Sequence, residues 1–266
     1  MRLLTKNNLK RLIKNPSLLY KYILYVLESR KVEKFFIKTV FTNVEEFLEY
    51  ANEIKDSGLI DELDQARNKF ENSVSGKTKR GNLYSLGAIS YREGVKIYSL
   101  IRKMKPNVLV ETGVCNGVST AFILFALHKN KMGKLYSIDF PEVEGIDYEK
   151  GTFWEGKGGA VIPHNKGPGW VIPQYLKKRW KLILGKSQEK LPSLLKELKK
   201  IDFSIHDSEH SYECMIFEFN EAFAALKKNG VLASDDITWN NSFYDFCKQK
   251  NLIPMKISRN IGFTFK

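Results

Sequence analysis

The sequence contains few cysteines and lacks a long uninterrupted apolar run. Its three cysteines, Cys115, Cys214 and Cys247, show no C-x-x-C spacing, which argues against a disulfide scaffold and against structural zinc. This sparse usage favours a reducing compartment, so we expect a cytoplasmic protein. The basic N-terminus precedes no apolar stretch long enough for a signal peptide or a membrane span, and we therefore predict no transmembrane segment.

Positive charge is concentrated near the N-terminus. The 266 residues have a formal net charge of +13, and residues 1–40 contain ten Lys and Arg but two acidic residues. A basic amphipathic segment of this kind is able to contact anionic lipid or nucleic acid, and it is also typical of a solvated, lysine-rich surface. Charge alone therefore identifies no partner, and the sequence does not predict the oligomeric state.

Hydrophobic periodicity divides the chain into two parts. Residues 1–82 are predicted to form an α-helical extension and a linker, because helical apolar spacing runs to about residue 72 and turn-forming residues follow it. In residues 83–266, short apolar strands alternate with helices. This alternation predicts an α/β fold with a doubly wound, mostly parallel sheet and helices on both faces. The predicted strands are 108–112, 134–139, 180–184, 202–206, 230–234 and 255–265, the last containing a hairpin turn.

A glycine turn follows the first predicted strand. Gly113 and Gly117 bracket the turn, a helix begins near Val118, and the next strand ends at Asp139. Open α/β sheets bind ligands at this C-terminal edge, where a carboxylate is able to accept both hydroxyls of a ribose. The order of these elements predicts a nucleoside pocket, although glycine-rich turns also occur in other α/β proteins.

The residues of the turn narrow the choice of ligand. A dinucleotide fingerprint requires a second glycine close to the first, and Cys115 occupies that position. A pyrophosphate, and with it a nicotinamide dehydrogenase, is therefore disfavoured. A ligand with an amino acid tail fits better, because Glu111 would face its ammonium group while Ser119 and the helix N-terminus would hold its carboxylate.

Polar and acidic residues follow the fourth and fifth predicted strands. Asp207 and His210 come after the fourth strand, and Asp235 and Asp236 come after the fifth. Like charges brought together raise one another's pKa, and a hard divalent cation such as Mg²⁺ would compensate them. Either the three aspartates bind a metal, or Asp207 and Ser208 cap one helix and Asp236 caps the next. His210 is correspondingly either a general base or an ordinary surface histidine.

A long segment without hydrophobic periodicity lies between the second and third predicted strands. Residues 141–173 contain seven glycines together with Trp154 and Trp170. Connections of this length are uncommon and are usually lids, binding loops or disordered insertions. Because the segment directly follows Asp139, we predict that it is a substrate lid, with a disordered surface insertion as the alternative.

These features together resemble a known family. From about Ser85 to the C-terminus, the glycine turn, Asp207-Ser-Glu-His-Ser-Tyr212 and Gly230-Val-Leu-Ala-Ser-Asp-Asp236 resemble class I S-adenosylmethionine-dependent methyltransferases of the Asp-x-Asp-His-x-Tyr type, which is methyltransferase domain 24-like. This group is related to the metal-dependent catechol and caffeoyl-coenzyme A O-methyltransferases. The resemblance implies a Rossmann-like, seven-stranded sheet with a terminal antiparallel strand.

The resemblance also implies roles for individual residues. Asp207, Asp235 and Asp236 would be the metal ligands, and His210 would take the place of the family's lysine beside the acceptor hydroxyl. The chain departs from the family pattern at Glu209, which replaces Asp, at Asp236, which replaces Asn, and at His210 itself. Ser187 would lie near the adenine, or it would cap the following helix. The expected cofactor-binding residues are Glu111, Gly113, Asn116, Gly117, Ser119, Asp139 and Ser187.

The expected activity is methyl transfer from S-adenosylmethionine to a hydroxyl of a small molecule such as a sugar, a phenol or a secondary metabolite. Mg²⁺ would lower the pKa of that hydroxyl, and His210, with Asp207, would be catalytic by taking its proton. One alternative is a nucleic-acid methyltransferase that uses the basic N-terminus; it is disfavoured because no Asn-Pro-Pro-Tyr-like motif stands near the fourth strand. The other is a non-catalytic S-adenosylmethionine-binding protein, against which the converging carboxylates argue.

Overall fold

A computed structural model describes residues 15–73, 89–141, 162–163 and 165–266 of the chain. The predicted boundary between residues 82 and 83 and most of the predicted lid, residues 142–161 and 164, lie outside the described residues. In the part of the chain that is described, no helix is both long enough and apolar enough to cross a membrane.

Seven strands form one sheet at the centre of the fold. The strands are β1 (Val108–Thr112), β2 (Lys134–Asp139), β3 (Trp180–Leu184), β4 (Ile201–His206), β5 (Leu226–Ser234), β6 (Met255–Lys256) and β7 (Gly262–Phe265). Their order across the sheet is β3-β2-β1-β4-β5-β7-β6. Strands β1 to β5 pair in parallel, whereas β7 runs antiparallel to both β5 and β6. The predicted seven-stranded, mostly parallel, Rossmann-like sheet and its terminal hairpin are confirmed.

The helices lie before the sheet in sequence and between its strands. They are α1 (Pro16–Val40), α2 (Val44–Lys55), α3 (Leu59–Ser73), α4 (Tyr91–Met104), α5 (Val118–Asn130), α6 (Ser187–Leu198), α7 (Tyr212–Ala225) and α8 (Ser242–Gln249), with a 3₁₀ helix at Gln174–Arg179. Helix α4 shows why they begin where they do. The hydroxyl of Ser90 accepts a hydrogen bond from the Glu93 amide, and the Glu93 carboxylate accepts one from the Ser90 amide.

Apolar side chains cover both faces of the sheet. Leu109 and Val110, which are neighbours on β1, belong to two separate buried clusters because successive strand residues point to opposite faces. The first cluster contains residues of α1 to α5, including Phe36 and Phe122. The second contains residues of α6, α7 and α8, including Phe219. The sheet is therefore covered by helices on both sides, as the alternating pattern predicts.

The N-terminal helices pack closely against this domain. The ring of Phe36 on α1 meets that of Phe263 on β7 edge to face, with centroids 6.0 Å apart. On α2, Glu53 accepts a hydrogen bond from the Tyr98 hydroxyl at 2.6 Å and forms a 2.8 Å ion pair with Arg102 Nε, both on α4. The predicted helical extension is thus present and is attached through buried aromatic and charged contacts.

The predicted start of the fifth strand was wrong by four residues. The sequence Lys227-Lys-Asn-Gly230 predicted a turn before a strand at 230–234, whereas β5 already begins at Leu226. Leu226 is extended and is paired with Ile201 of β4, and the register shifts before Phe203 pairs with Val231. Because of this irregular pairing, lysines lie within the strand, and residue composition alone does not predict this.

Candidate functional site

The order of the strands reverses between β1 and β4, so the C-terminal ends of these strands open a crevice at one edge of the sheet. Gly113 follows β1, and Asp207 follows β4. The Asp207 amide donates a hydrogen bond to the Thr112 carbonyl at 2.8 Å. A Cβ at position 113 would lie 1.8 Å from the Asp207 carbonyl oxygen, and the φ of Gly113 is +86°. Only glycine therefore allows the two chain segments to approach this closely.

The predicted glycine turn is confirmed and leads directly into α5. The helix begins at Val118, and Gly117, directly before it, has a φ of +94°. The Gly117 amide donates to the Val114 carbonyl at 2.8 Å, which closes the turn. Cys115 also has a left-handed φ, +48°, which is uncommon for a residue with a side chain. The turn is therefore tight, and it aims the N-terminal amides of α5 at the crevice.

Asp139 lies at the C-terminal end of β2 and provides an open acceptor at the crevice. Its Oδ1 accepts a 3.3 Å hydrogen bond from the Val114 amide. Its Oδ2 is buried and has no hydrogen-bond partner among the described residues. Burial raises the pKa of Asp139 to about 6 against the opposing effect of nearby backbone amides. A buried acceptor without a partner costs about 1–3 kcal/mol, so this oxygen is suited to a ligand hydroxyl that would satisfy it.

Glu111, in contrast, already has its hydrogen bonds satisfied within the protein. Its buried carboxylate accepts hydrogen bonds from the hydroxyls of Ser137 at 2.7 Å, Thr120 at 2.9 Å and Ser119 at 3.3 Å. Burial raises its pKa to about 7 although these hydroxyls act in the opposite sense. The carboxylate thus joins β1 to β2 and α5. The predicted contacts of Glu111 and Ser119 with an amino acid tail remain predictions.

A short segment lies across the glycine turn, and we call its residues 165–173 the strap. The Gly169 amide donates to the Cys115 carbonyl at 2.9 Å, and the Val171 amide donates to the Asn116 carbonyl at 3.3 Å. The indole N–H of Trp170 donates to Asn116 Oδ1 at 2.6 Å. The described part of the predicted lid therefore covers the turn that follows β1, and Asn116 is the residue that holds it there.

Ser187 is the first residue of α6 and not its cap. Lys186 is the N-cap and makes no side-chain capping bond, so the alternative in which Ser187 caps the helix is wrong. The buried hydroxyl of Ser187 lies 3.3 Å from Gln188 Oε1 and 3.9 Å from Cys214 Sγ. The contact of Ser187 with adenine remains a prediction.

The three aspartates after β4 and β5 are brought together. Burial, followed by the charges of Asp235, Glu111 and Asp236, raises the pKa of Asp207 well above its usual value, and a hydrogen bond with Asp235 adds to this. Burial and Asp236 raise the pKa of Asp235 to about 7. Burial and Glu93 raise that of Asp236. We call Asp207, Asp235 and Asp236 the acidic cluster; burial and neighbouring carboxylates disfavour the simultaneous ionisation of all three.

His210 lies beside the acidic cluster. Its Nε2 is 3.6 Å from Asp236 Oδ2 and 3.9 Å from Asp207 Oδ1. The side chain is buried, so the alternative of an ordinary surface histidine is wrong. Burial and the neighbouring His206 lower the pKa of His210 to about 3, which keeps the imidazole neutral at neutral pH. The half-exposed ring of Trp239, 5.8 Å from that of His210, forms the outer side of this group.

The capping roles considered for the aspartates are also wrong. Ser211 caps α7 by accepting a hydrogen bond from the Cys214 amide, and Asn241 precedes α8. A metal group is not formed either: among the described residues, no three His, Cys, Asp or Glu side chains are arranged to hold an ion. The donor types of the acidic cluster suit Mg²⁺.

Sequence reasoning missed a buried contact between Glu218 and His206 beneath this site. Glu218 on α7 contacts His206 Nδ1 at 2.6 Å, accepts a hydrogen bond from Ser208 Oγ at 2.7 Å and also accepts one from Thr112 Oγ1. His206 lowers the pKa of Glu218 to about 2, although burial acts to raise it. The sequence signal that could have revealed this contact is the position of the acidic Glu218 directly before Phe219, which lies on the apolar face of the helix.

Comparisons with known proteins agree with this geometry. Residues 110–237 match a family described as "Methyltransferase domain". The structure of the SAH-bound Podospora anserina methyltransferase PaMTH1 is similar with a TM-score of 0.50 at 12% identity, covering 79% of this chain and 88% of that one. The calicheamicin methyltransferase CalS11 aligns with a TM-score of 0.49 at 16% identity, covering 86% and 96%. The search of curated proteins found no match.

The strand order, the glycine turn at the reversal of that order and the family match agree. The residues that match the methyltransferase family run from β1 to just beyond the acidic cluster. The α-helical extension formed by α1 to α3 precedes the matched region.

Proposed function

We propose that the protein transfers a methyl group from S-adenosylmethionine to a hydroxyl of a small molecule, such as a sugar, a phenol or a secondary metabolite. The observation that carries the choice of cofactor is Asp139, whose buried Oδ2 has no partner among the described residues. A ribose hydroxyl would supply the missing hydrogen bond. We also propose a cytoplasmic location, because no disulfide joins the three cysteines.

The residues around the turn fit the rest of this cofactor. The N-terminal amides of α5, with Gly113 and Gly117, would hold the carboxylate of its methionine part, and Glu111 would face the ammonium group. Asn116 would act through the strap, and Ser187 would lie at the adenine. When bound, S-adenosylmethionine supplies an electrophilic methyl group. Orientation of the acceptor then accounts for much of the rate.

The acidic cluster and His210 form the acceptor side. A general base must be basic enough to take the proton of the acceptor hydroxyl. Burial and neighbouring carboxylates raise the pKa of Asp207, whereas burial and His206 lower that of His210 to about 3. We therefore propose that Asp207 receives the proton of the hydroxyl, while the neutral imidazole of His210 donates a hydrogen bond to the hydroxyl oxygen and orients it.

Mg²⁺ is a further part of this proposal. Asp207, Asp235 and Asp236 would supply its oxygen ligands after their side chains rearrange, because no three such groups among the described residues are now arranged to hold an ion. In this position a cation would compensate the charge of the cluster and polarise the acceptor hydroxyl. The raised pKa of all three carboxyls supports the proposal, because burial and neighbouring carboxylates disfavour their ionised forms and a bound cation would offset both effects.

Methyl transfer can be tested with a panel of hydroxyl acceptors and a methyl-labelled cofactor. We expect Asp207→Asn to lower kcat by about 10²–10⁴-fold, because proton transfer contributes that much, while cofactor affinity changes little. The matched control is Asp245→Asn, which removes an exposed carboxylate from α8. Full activity of Asp207→Asn would contradict the role of Asp207. If the wild-type protein kept full activity after treatment with EDTA, the role of Mg²⁺ would be contradicted but the role of Asp207 would not.

The strap provides a second test. Gly169 has φ at +69°, and a Cβ there would lie 2.4 Å from the Trp180 ring and 2.7 Å from Ile172. We expect Gly169→Ala to displace the strap and to weaken S-adenosylmethionine binding by about tenfold, the equivalent of 1.4 kcal/mol. Gly167→Ala is the control, because its Cβ would meet nothing within 4 Å. Equal affinities of the two variants, measured by calorimetry, would show that the strap takes no part in binding.

A further inference from the structure

The outer face of α1 is apolar at one end. Tyr20, Ile23, Leu24 and Leu27 are 64, 46, 46 and 56% exposed, and we call these four residues the apolar stripe. Their spacing of three and four residues places them on one side of the helix. Phe36, further along α1, is fully buried and lies on the side that faces the domain. The apolar stripe is therefore directed away from the body of the protein.

The same outer face becomes basic towards the C-terminal end of α1. Lys31, Lys34 and Lys38 continue the line of the apolar stripe at helical spacing, and all three are exposed. Between Tyr20 and Lys38 this line contains no acidic residue. The two glutamates of α1 are paired elsewhere: Glu28 lies 3.0 Å from Arg259 Nε, and Glu33 lies 3.1 Å from Lys96 Nζ. The three lysines therefore present positive charge that no acid on their own face offsets.

We propose that this face of α1 docks onto a membrane surface that contains anionic phospholipids. A helix that combines large apolar residues with lysines lies at the interface of such a membrane, with the apolar residues at the acyl boundary and the lysines at the phosphates. Each lysine near an anionic surface strengthens binding about fivefold. Contiguous exposed apolar groups of this size mark interaction sites.

Other partners fit this face less well. A nucleic acid would engage the three lysines but would leave the four apolar side chains of the stripe in water. A second copy of the chain would cover the apolar stripe, but the face brings no acid to oppose Lys31, Lys34 and Lys38. An anionic lipid surface is the one partner that satisfies both halves of the face.

Helix α1 is connected to the edge of the sheet that carries the acidic cluster. The guanidinium of Arg259, in the turn between β6 and β7, lies 4.8 Å from the ring centroid of Tyr25 on α1. In the same turn, the Asn260 carbonyl accepts a hydrogen bond at 2.9 Å from the amide of Ile237, the residue after Asp236. Docking of α1 would thus hold this edge of the sheet close to the lipid surface.

Co-sedimentation of the full chain with vesicles tests the proposal. We expect binding to vesicles of phosphatidylcholine and phosphatidylglycerol, and binding at least about tenfold weaker to phosphatidylcholine alone. Leu24→Glu combined with Leu27→Glu should weaken binding to the mixed vesicles at least about tenfold, because charge replaces the apolar stripe. Lys31→Glu combined with Lys34→Glu should remove the preference for phosphatidylglycerol.

Matched controls separate docking from general effects. Ile253→Glu changes an apolar residue that is 72% exposed outside α1, and Lys248→Glu reverses an exposed charge on α8. Both variants should bind vesicles like the wild type, and all variants should keep the wild-type Tm. Failure of the wild type to bind mixed vesicles would overturn the proposal. The proposal would also be overturned if analytical ultracentrifugation showed that the wild type is a dimer that binds no lipid, and that this dimer dissociates when Leu24 and Leu27 are both replaced by Glu.

Discussion

Asp139→Ala is expected to weaken S-adenosylmethionine binding by about 10²–10⁴-fold, the equivalent of losing two hydrogen bonds to a charged group at about 1.5–3 kcal/mol each. The carboxylate ends β2 at the crevice, and its Oδ2 has no partner among the described residues. Both ribose hydroxyls would bond to this one group. Calorimetry at neutral pH measures the loss, with Asp61→Ala on the exposed surface of α3 as the control.

The pH dependence of S-adenosylmethionine binding should also originate from Asp139. The pKa of Asp139 is raised to about 6, so its carboxylate is protonated below that pH and no longer accepts two hydroxyls. Cofactor affinity should therefore fall as the pH drops through 6, and Asp139→Asn should flatten that part of the profile. An unchanged profile in the variant would assign the titration to another group, such as Glu111.

Stability distinguishes this loss from simple unfolding. A carboxyl whose pKa is raised on folding destabilises the folded state as pH rises from the unfolded value through the folded value. Asp139→Asn removes that effect, so the variant without cofactor should be at least as stable as the wild type at pH 7. If Asp139→Asn had a lower free energy of unfolding than the wild type, Asp139 would support the fold. Its oxygen without a partner would then no longer be evidence for a ligand.

Glu218→Ala is expected to lower the free energy of unfolding by about 3–5 kcal/mol, because several buried groups each lose a hydrogen-bond partner at a cost of about 1–3 kcal/mol. The substitution leaves His206 Nδ1 without its partner and takes the acceptor from Ser208 and Thr112. All of these groups lie between β1, β4 and α7. Denaturation with urea at pH 7 gives the measurement.

The effect of Glu218 should also depend on pH in a defined direction. Its pKa is lowered to about 2 on folding, so its contribution is present above the unfolded value near 4.5 and is lost as pH falls towards 2. The difference between wild type and Glu218→Ala should narrow over that range. Glu213→Ala, one turn earlier and exposed on the same helix, should change stability little. A constant difference from pH 7 to pH 3 would contradict an ionised Glu218.

Much of the fold followed from local patterns. The period of two in the strands, the period of 3.6 in the helices and the glycines of the turn predicted β1 to β4, the turn itself and the closing hairpin. The start of β5 could not be predicted in this way, because Leu226 is extended only through pairing with Ile201 across the sheet. Such a contact joins residues that are distant in sequence and leaves no local signal.

The candidate site was predicted less completely. The C-terminal ends of neighbouring parallel strands must meet, so the convergence of Asp207 and Asp235 followed from topology. Hydrogen bonding did not follow, because it depends on side-chain directions after packing. The hydrogen bonds that Glu111 accepts from Ser137 and Thr120 were not predicted, and its contact with a ligand stays a prediction. The pairing of Glu218 with His206 likewise depends on how α7 rests on β4.

The close approach of Gly113 to Asp207 constrains how this protein can diverge. Any larger residue at position 113 would have to push aside the main chain at Asp207. The turn that we propose binds the methyl donor and the strand end that we propose faces the acceptor are therefore in direct contact, and neither can change its shape alone. On this proposal, new acceptors would be more readily accommodated by changes outside this contact, such as at Trp239, than by changes at the contact itself.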